Sequence, residues 1–112
     1  MEVVFEHARL GKICNDHKQM TRKFGAERAR VLGRRLLQLL AAGCLEDLRS
    51  APGRCHQLKG DADGLLSLDL DGPFRLIFRP TSDPPPSKSD GGLEWGQVTE
   101  VTIVEILDTH EK

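Results

Sequence analysis

Apolar and polar positions change period twice along this chain, and the two changes divide it into three stretches. Val3, Val4 and Phe5 form a short β-branched run that predicts an N-terminal strand. From Leu10 the spacing becomes helical, with Leu10, Ile13, His17 and Met20 on one face of a first helix. After Phe24-Gly25, the series Ala29, Leu32, Leu36, Leu39 and Leu40 predicts a second amphipathic helix, so the two should pack as a hairpin. Arg30 and Arg34 lie one turn apart on its outer side. Gly33 inside that helix costs about 1 kcal/mol relative to alanine, which predicts a close helix contact there. Gly43 is placed to end the helix, and Leu45-Glu46-Asp47-Leu48 adds one more turn before Pro52-Gly53.

Beyond Arg54 the alternation has period two. Leu66, Leu68 and Leu70 interleave with Ser67, Asp69 and Asp71, which sends leucines to one sheet face and acids to the other. Asp71-Gly72-Pro73 is a tight turn, and Phe74, Leu76 and Phe78 then interleave with Arg75, Ile77 and Arg79, so both arginines share a face. Residues 80–96 contain Pro84-Pro85-Pro86 and Gly91-Gly92 and predict an exposed loop without structure of its own. Val98 to Leu107 is the last strand and delivers Asp108, Thr109 and His110 at its end. The expected architecture is a single α+β domain over residues 1–112: an N-terminal strand and a helical hairpin packed on an antiparallel sheet.

Composition narrows the function classes. With 112 residues, 38% hydrophobic and 29% charged, the chain fits one small soluble domain, and no apolar stretch reaches membrane-spanning length. The start lacks the pattern of a secretory signal, so a cytoplasmic location is expected. Cys14, Cys44 and Cys55 have neither CxxC spacing nor a zinc-ligand pattern; no metal or cofactor is expected. The near-zero net charge hides an asymmetry: residues 1–60 carry 12 Lys and Arg against 6 Asp and Glu, residues 61–112 carry 4 against 11. Lys18, Arg22, Lys23, Arg28, Arg30, Arg34 and Arg35 fall in one helical region, either a solvated surface or one that meets a polyanion or an acidic partner.

Candidate chemistry gathers in three short pieces: Arg54-Cys55-His56-Gln57-Leu58-Lys59-Gly60-Asp61, Phe74 to Arg79, and Asp108-Thr109-His110. RNA cleavage needs a base for the 2′-hydroxyl, an acid for the leaving 5′-oxygen and fixed cations around the phosphate. Histidine, with an ordinary pKa of about 6.5, serves as either acid or base. His56 and His110 are the expected acid–base pair, Lys59 and Arg75 the phosphate-binding cations, with Arg79 a further candidate, and Asp108 would orient a histidine. On the residues alone, two ordinary surface histidines and a Lys-Gly-Asp turn fit the same letters.

The motifs His-x-Leu-Lys-Gly-Asp, Gly-Leu-x-Ser-Leu, Arg-Leu-Ile-Phe and a terminal Asp-x-His resemble the HigB branch of the RelE/ParE toxin superfamily, most strongly over residues 54–79 and 100–110. That resemblance implies a RelE-like fold and a plasmid-maintenance killer toxin of a type II toxin–antitoxin system. Its expected activity is ribosome-dependent, metal-independent cleavage of mRNA. Expected partners are the ribosome with its mRNA and a HigA-like helix-turn-helix antitoxin, held in a hetero-oligomer. Carried over residue by residue, the catalytic set falls on His56, Lys59, Arg75, Asp108 and His110; apart from that motif, Arg30 and Arg34 on the basic helical face, with Arg54 and Arg79, are the expected RNA-binding cations. The family's tyrosine between Asp and His is Thr109 here, and the chain contains no tyrosine. Trp95 is the substitute aromatic surface for a base. The alternatives are a catalytically weakened RelE-fold protein that docks on an antitoxin or ribosome, and a ParE-like, gyrase-directed toxin.

Overall fold

A computed structural model describes residues 1–60 and 64–110. Asp61, the last residue of the His-x-Leu-Lys-Gly-Asp motif, lies outside the described residues. Strand β1 (Glu2–Phe5) is followed by three helices, α1 (Ala8–Cys14), α2 (His17–Phe24) and α3 (Ala26–Ala41). A 3-10 turn at Leu45–Ser50 leads to β2 (His56–Gln57), β3 (Leu66–Asp69), β4 (Phe74–Pro80) and, after a second 3-10 turn at Trp95–Gln97, β5 (Glu100–Asp108).

Two expectations about local structure change. The expected first helix is divided, because Asp16 is extended and its carboxylate accepts the Lys18 and Gln19 amides as the N-cap of α2. Gly25, at φ 90, turns the chain between α2 and α3. The hairpin is therefore a three-helix layer. The sheet is mixed as well: its order is β1-β5-β4-β3-β2, antiparallel throughout except that β1 and β5 run parallel. No local turn connects β1 and β5; the entire helical layer and the meander lie between them, so their relative direction is a tertiary outcome.

Leu66, Leu68, Leu76, Phe78, Val101 and Ile103 are all essentially inaccessible and meet Leu32, Leu39, Leu45 and Leu48 from the helical side. Pairing leaves Ser67, Asp69, Arg75, Ile77, Arg79 and Glu105 on the opposite face. Leu66 and Leu68 are segregated from Ser67 and Asp69 as expected, and Arg75 and Arg79 share a face; Asp71, expected with the acids, lies beyond β3 and instead pairs with Arg28 of α3. Gly33 makes no close contact: a Cβ there would meet nothing within 4 Å. The 80–96 segment is also more ordered than its composition suggests, since Pro80 belongs to β4, Ser87 bridges to Leu93, and Trp95 is buried in the core. One large indole supplies enough apolar area to anchor the end of that loop.

Candidate functional site on the sheet face opposite the helices

The turn Pro52-Gly53-Arg54 brings the chain from the helical layer onto β2. Gly53 sits at φ 109, where its carbonyl accepts the Asp69 amide at 2.7 Å. Arg54 follows at φ 51, a left-handed conformation uncommon for a residue with a side chain. Its guanidinium reaches across to Asp69 (Nε–Oδ2 3.0 Å), whose other oxygen meets Arg75 Nε at 3.1 Å. One carboxylate thus holds two arginines, leaving a local surplus of one positive charge.

His56 stands on the same face, opposite Ser67. Its Nδ1–H donates to the Arg54 carbonyl at 2.9 Å, and Nε2 has no hydrogen-bond partner among the described residues. In the neutral ring this bond puts the lone pair on Nε2, the atom that can accept a proton. Of the predicted residues the fold brings Arg54 and Arg75 together on Asp69, which was not among them, with His56 tied to the Arg54 carbonyl.

The rest of the predicted set lies elsewhere. His56, Ser67, Ile77 and Glu105 form one rung across the sheet, whereas Asp108 is opposite Phe74, three residues further along and three strands away. At about 4.8 Å between strands and 3.3 Å per residue, His110 is roughly 20 Å from His56. Asp108 shares the helical face with Phe74, and its carboxylate accepts the His110 amide. Thr109 is tied by both its amide and its hydroxyl to the Pro73 carbonyl. Lys59 is exposed and continues beyond β2 in the other direction, past the Leu58–Leu65 hydrogen bond. The expected single surface containing His56, Lys59, Arg75 and His110 is therefore not formed, because β2 and β5 are separated by two strands and their ends point apart.

The RNA-binding expectations divide similarly. Trp95 is 5% exposed, its Nε1 donates to Gln57, and Arg49 covers its ring at 3.8 Å, so no face is open to a base. Arg79 pairs with Glu6 at 3.2 Å and Arg30 with Glu27 at 2.6 Å. Arg28 stacks on Phe74 and pairs with Asp71, while Arg35 donates to the Asp69 carbonyl, so both fasten α3 to the sheet. The cations that gather without ion-pair partners among the described residues are Arg9, Lys12, Arg22 and Lys23, which line a groove of about 420 Å³ between α1 and α2. Arg9 and Lys12 were missed by sequence reasoning. Their i, i+3 spacing puts them on one face of α1, but only the α1–α2 packing joins that face to Arg22 and Lys23.

Thiol chemistry has little support here. Burial pushes the Cys14 thiol up to about 11 and Cys55 up to about 12, so both stay protonated near neutrality. Among the described residues no group of three His, Cys, Asp or Glu side chains is placed to hold a metal ion, and no helix is long and apolar enough to cross a membrane. No protein-family model matches this chain, and no curated protein is significantly similar to it.

Proposed function

We propose that this protein is the toxin of a type II toxin–antitoxin system, of the RelE/HigB kind, and that it inhibits translation by cutting mRNA on the ribosome. One observation carries the reading: an imidazole whose Nδ1 is tied to the Arg54 carbonyl stands at one end of the Arg54–Asp69–Arg75 ion-pair cluster, on the sheet face opposite the helical layer. In this scheme His56 accepts the 2′-hydroxyl proton, and the 2′-oxygen displaces the 5′-oxygen from phosphorus to leave a cyclic phosphate. Water supplies the proton of the leaving oxygen because His110 is too far away, and Arg75, with Arg54, stabilises the phosphate charge after exchanging Asp69 for the substrate. The Arg9, Lys12, Arg22 and Lys23 groove supplies sequence-independent attraction for ribosomal RNA. A HigA-like antitoxin is the expected inhibitor, and the work is done in the cytoplasm.

The distance of Lys59 and His110 from His56 favours a second reading, a RelE-like protein that docks on a ribosome or antitoxin without cutting. Inducible expression in bacteria separates them. The nuclease reading expects growth arrest with cleaved transcripts, and His56→Ala should lower cleavage by about 10²- to 10⁴-fold. Arrest with intact transcripts supports docking. Full cleavage by His56→Ala rejects the assigned base.

A further inference from the structure

Two arginines of the candidate site converge on a single carboxylate, an arrangement that guanidinium groups also make around a phosphate. Arg54 holds Asp69 in a bidentate manner, Nε to Oδ2 at 3.0 Å and Nη2 to Oδ1 at 3.2 Å, and Arg75 Nε approaches Oδ1 at 3.1 Å. The carboxylate neutralises only one of the two positive charges.

The three residues differ in what else fixes them. Arg75 also donates through Nη1 to the Gly72 and Phe74 carbonyls at 2.9 and 2.8 Å, and its side chain is only 22% exposed, so it keeps its place without Asp69. The Arg54 side chain has no other acceptor among the described residues and is 63% exposed, so its head group can swing toward an incoming anion. Its backbone stands at φ 51, and strain of that kind concentrates at ligand-binding positions. Asp69 is fastened through its main chain: its amide donates to the Gly53 carbonyl and its carbonyl accepts from Arg35 Nε, both at 2.7 Å. Neither bond uses the carboxylate, so its charge can be removed without undoing the turn or the attachment of α3.

We propose that Arg54 and Arg75 form a binding site for a phosphodiester and that Asp69 is its built-in competitor, an internal anion that the ligand must displace. The inference rests on the proposed reading of this face as the one that meets RNA, and it makes Asp69 the residue that sets affinity. With the carboxylate in place the arginine pair carries a surplus of one positive charge; without it the surplus is two, and no ion pair has to be broken first. An Asp69 that served only to hold Arg54 in position for the ligand would give the opposite sign, because its loss would leave a long exposed side chain to be ordered on binding.

The test titrates isotopically labelled protein at low salt with a dinucleotide monophosphate whose 2′-O-methyl group prevents cleavage, following the Nε–H resonances of Arg54 and Arg75. The proposal expects millimolar binding by the parent and binding about five- to tenfold tighter by Asp69→Asn, as for the release of one partly exposed bidentate ion pair. Asp69→Glu, which keeps the charge, should bind no tighter than the parent, and Arg75→Ala should lose the site. Asp69→Ser removes the same charge and answers the same question should Asp69→Asn fail to fold. Equal or weaker binding by the folded, charge-free variant overturns the proposal, as does a probe that leaves both arginine resonances unmoved. The expression assay keeps the two readings apart: intact transcripts with tighter binding by Asp69→Asn reject the nuclease and retain the competitor, whereas cut transcripts with unchanged affinity reject the competitor alone.

Discussion

Gly53→Ala should be the most damaging small substitution near the Arg54–Asp69–Arg75 cluster, and Gly33→Ala should be stabilising, although both add one methyl group. At Gly53 the backbone φ is 109, beyond the left-handed region that L-residues tolerate, which costs about 1–3 kcal/mol. The new Cβ would also lie 2.8 Å from Arg35 Nε and 3.0 Å from Leu68 Cδ2. Arg35 donates from that nitrogen to the Asp69 carbonyl, and Leu68 is fully buried, so neither can yield freely. Overpacking adds about 1–3 kcal/mol, for a total of about 2–6 kcal/mol against a typical domain stability of about 5–15 kcal/mol. Gly33, in the interior of α3 with open space at its Cβ, should gain about 0.5–1 kcal/mol from helix propensity alone. Urea unfolding followed by circular dichroism measures both, with an unchanged slope showing that the unfolded state is comparable. A Gly53→Ala midpoint within error of the parent would refute the strain and clash reasoning. The same result would cast doubt on the turn that positions Arg54 and hence on the Arg54–Asp69–Arg75 cluster.

Three further outcomes can be checked. Hydrogen bonds from the Gln19 side chain and amide hold the Asp16 carboxyl below its ordinary value. A depressed folded-state pKa means the stabilisation is present above the unfolded carboxylate range and lost as pH falls through the folded value, so the parent and Asp16→Ala should converge in thermal midpoint only in acid. Trp95→Ala should cost about 3–5 kcal/mol through the cavity it opens, whereas Trp95→Phe should retain the fold and lose the Gln57 bond; an RNA-stacking role would instead leave stability unchanged. Lys12→Glu with Lys23→Glu should reduce association with ribosomes and flatten its salt dependence, measured by sedimentation at several salt concentrations, while Arg30→Glu should have the smaller effect because Glu27 already occupies that arginine.

The period-two alternation of Leu66, Leu68 and Leu70 and of Phe74, Leu76 and Phe78 was sufficient to assign two strands and their buried face, because side-chain direction in a strand is a local property. The same rule correctly placed Arg75 and Arg79 together. It also identified the class of domain, since a helical stretch followed by a meander has few ways to bury one apolar face on the other. Local signals were present but misjudged at Asp16, whose carboxylate caps a new helix, and at Trp95, whose size outweighs its Gly- and Pro-rich surroundings. What no spacing could supply was the relation between elements distant in sequence. That β1 runs parallel to β5, that Asp69 serves both Arg54 and Arg75, and that Arg9 and Lys12 meet Arg22 and Lys23 all follow from packing. The separation of His56 from His110 has the same origin: strand order sets lateral distance, register sets position along the strand, and neither is encoded in the local motif.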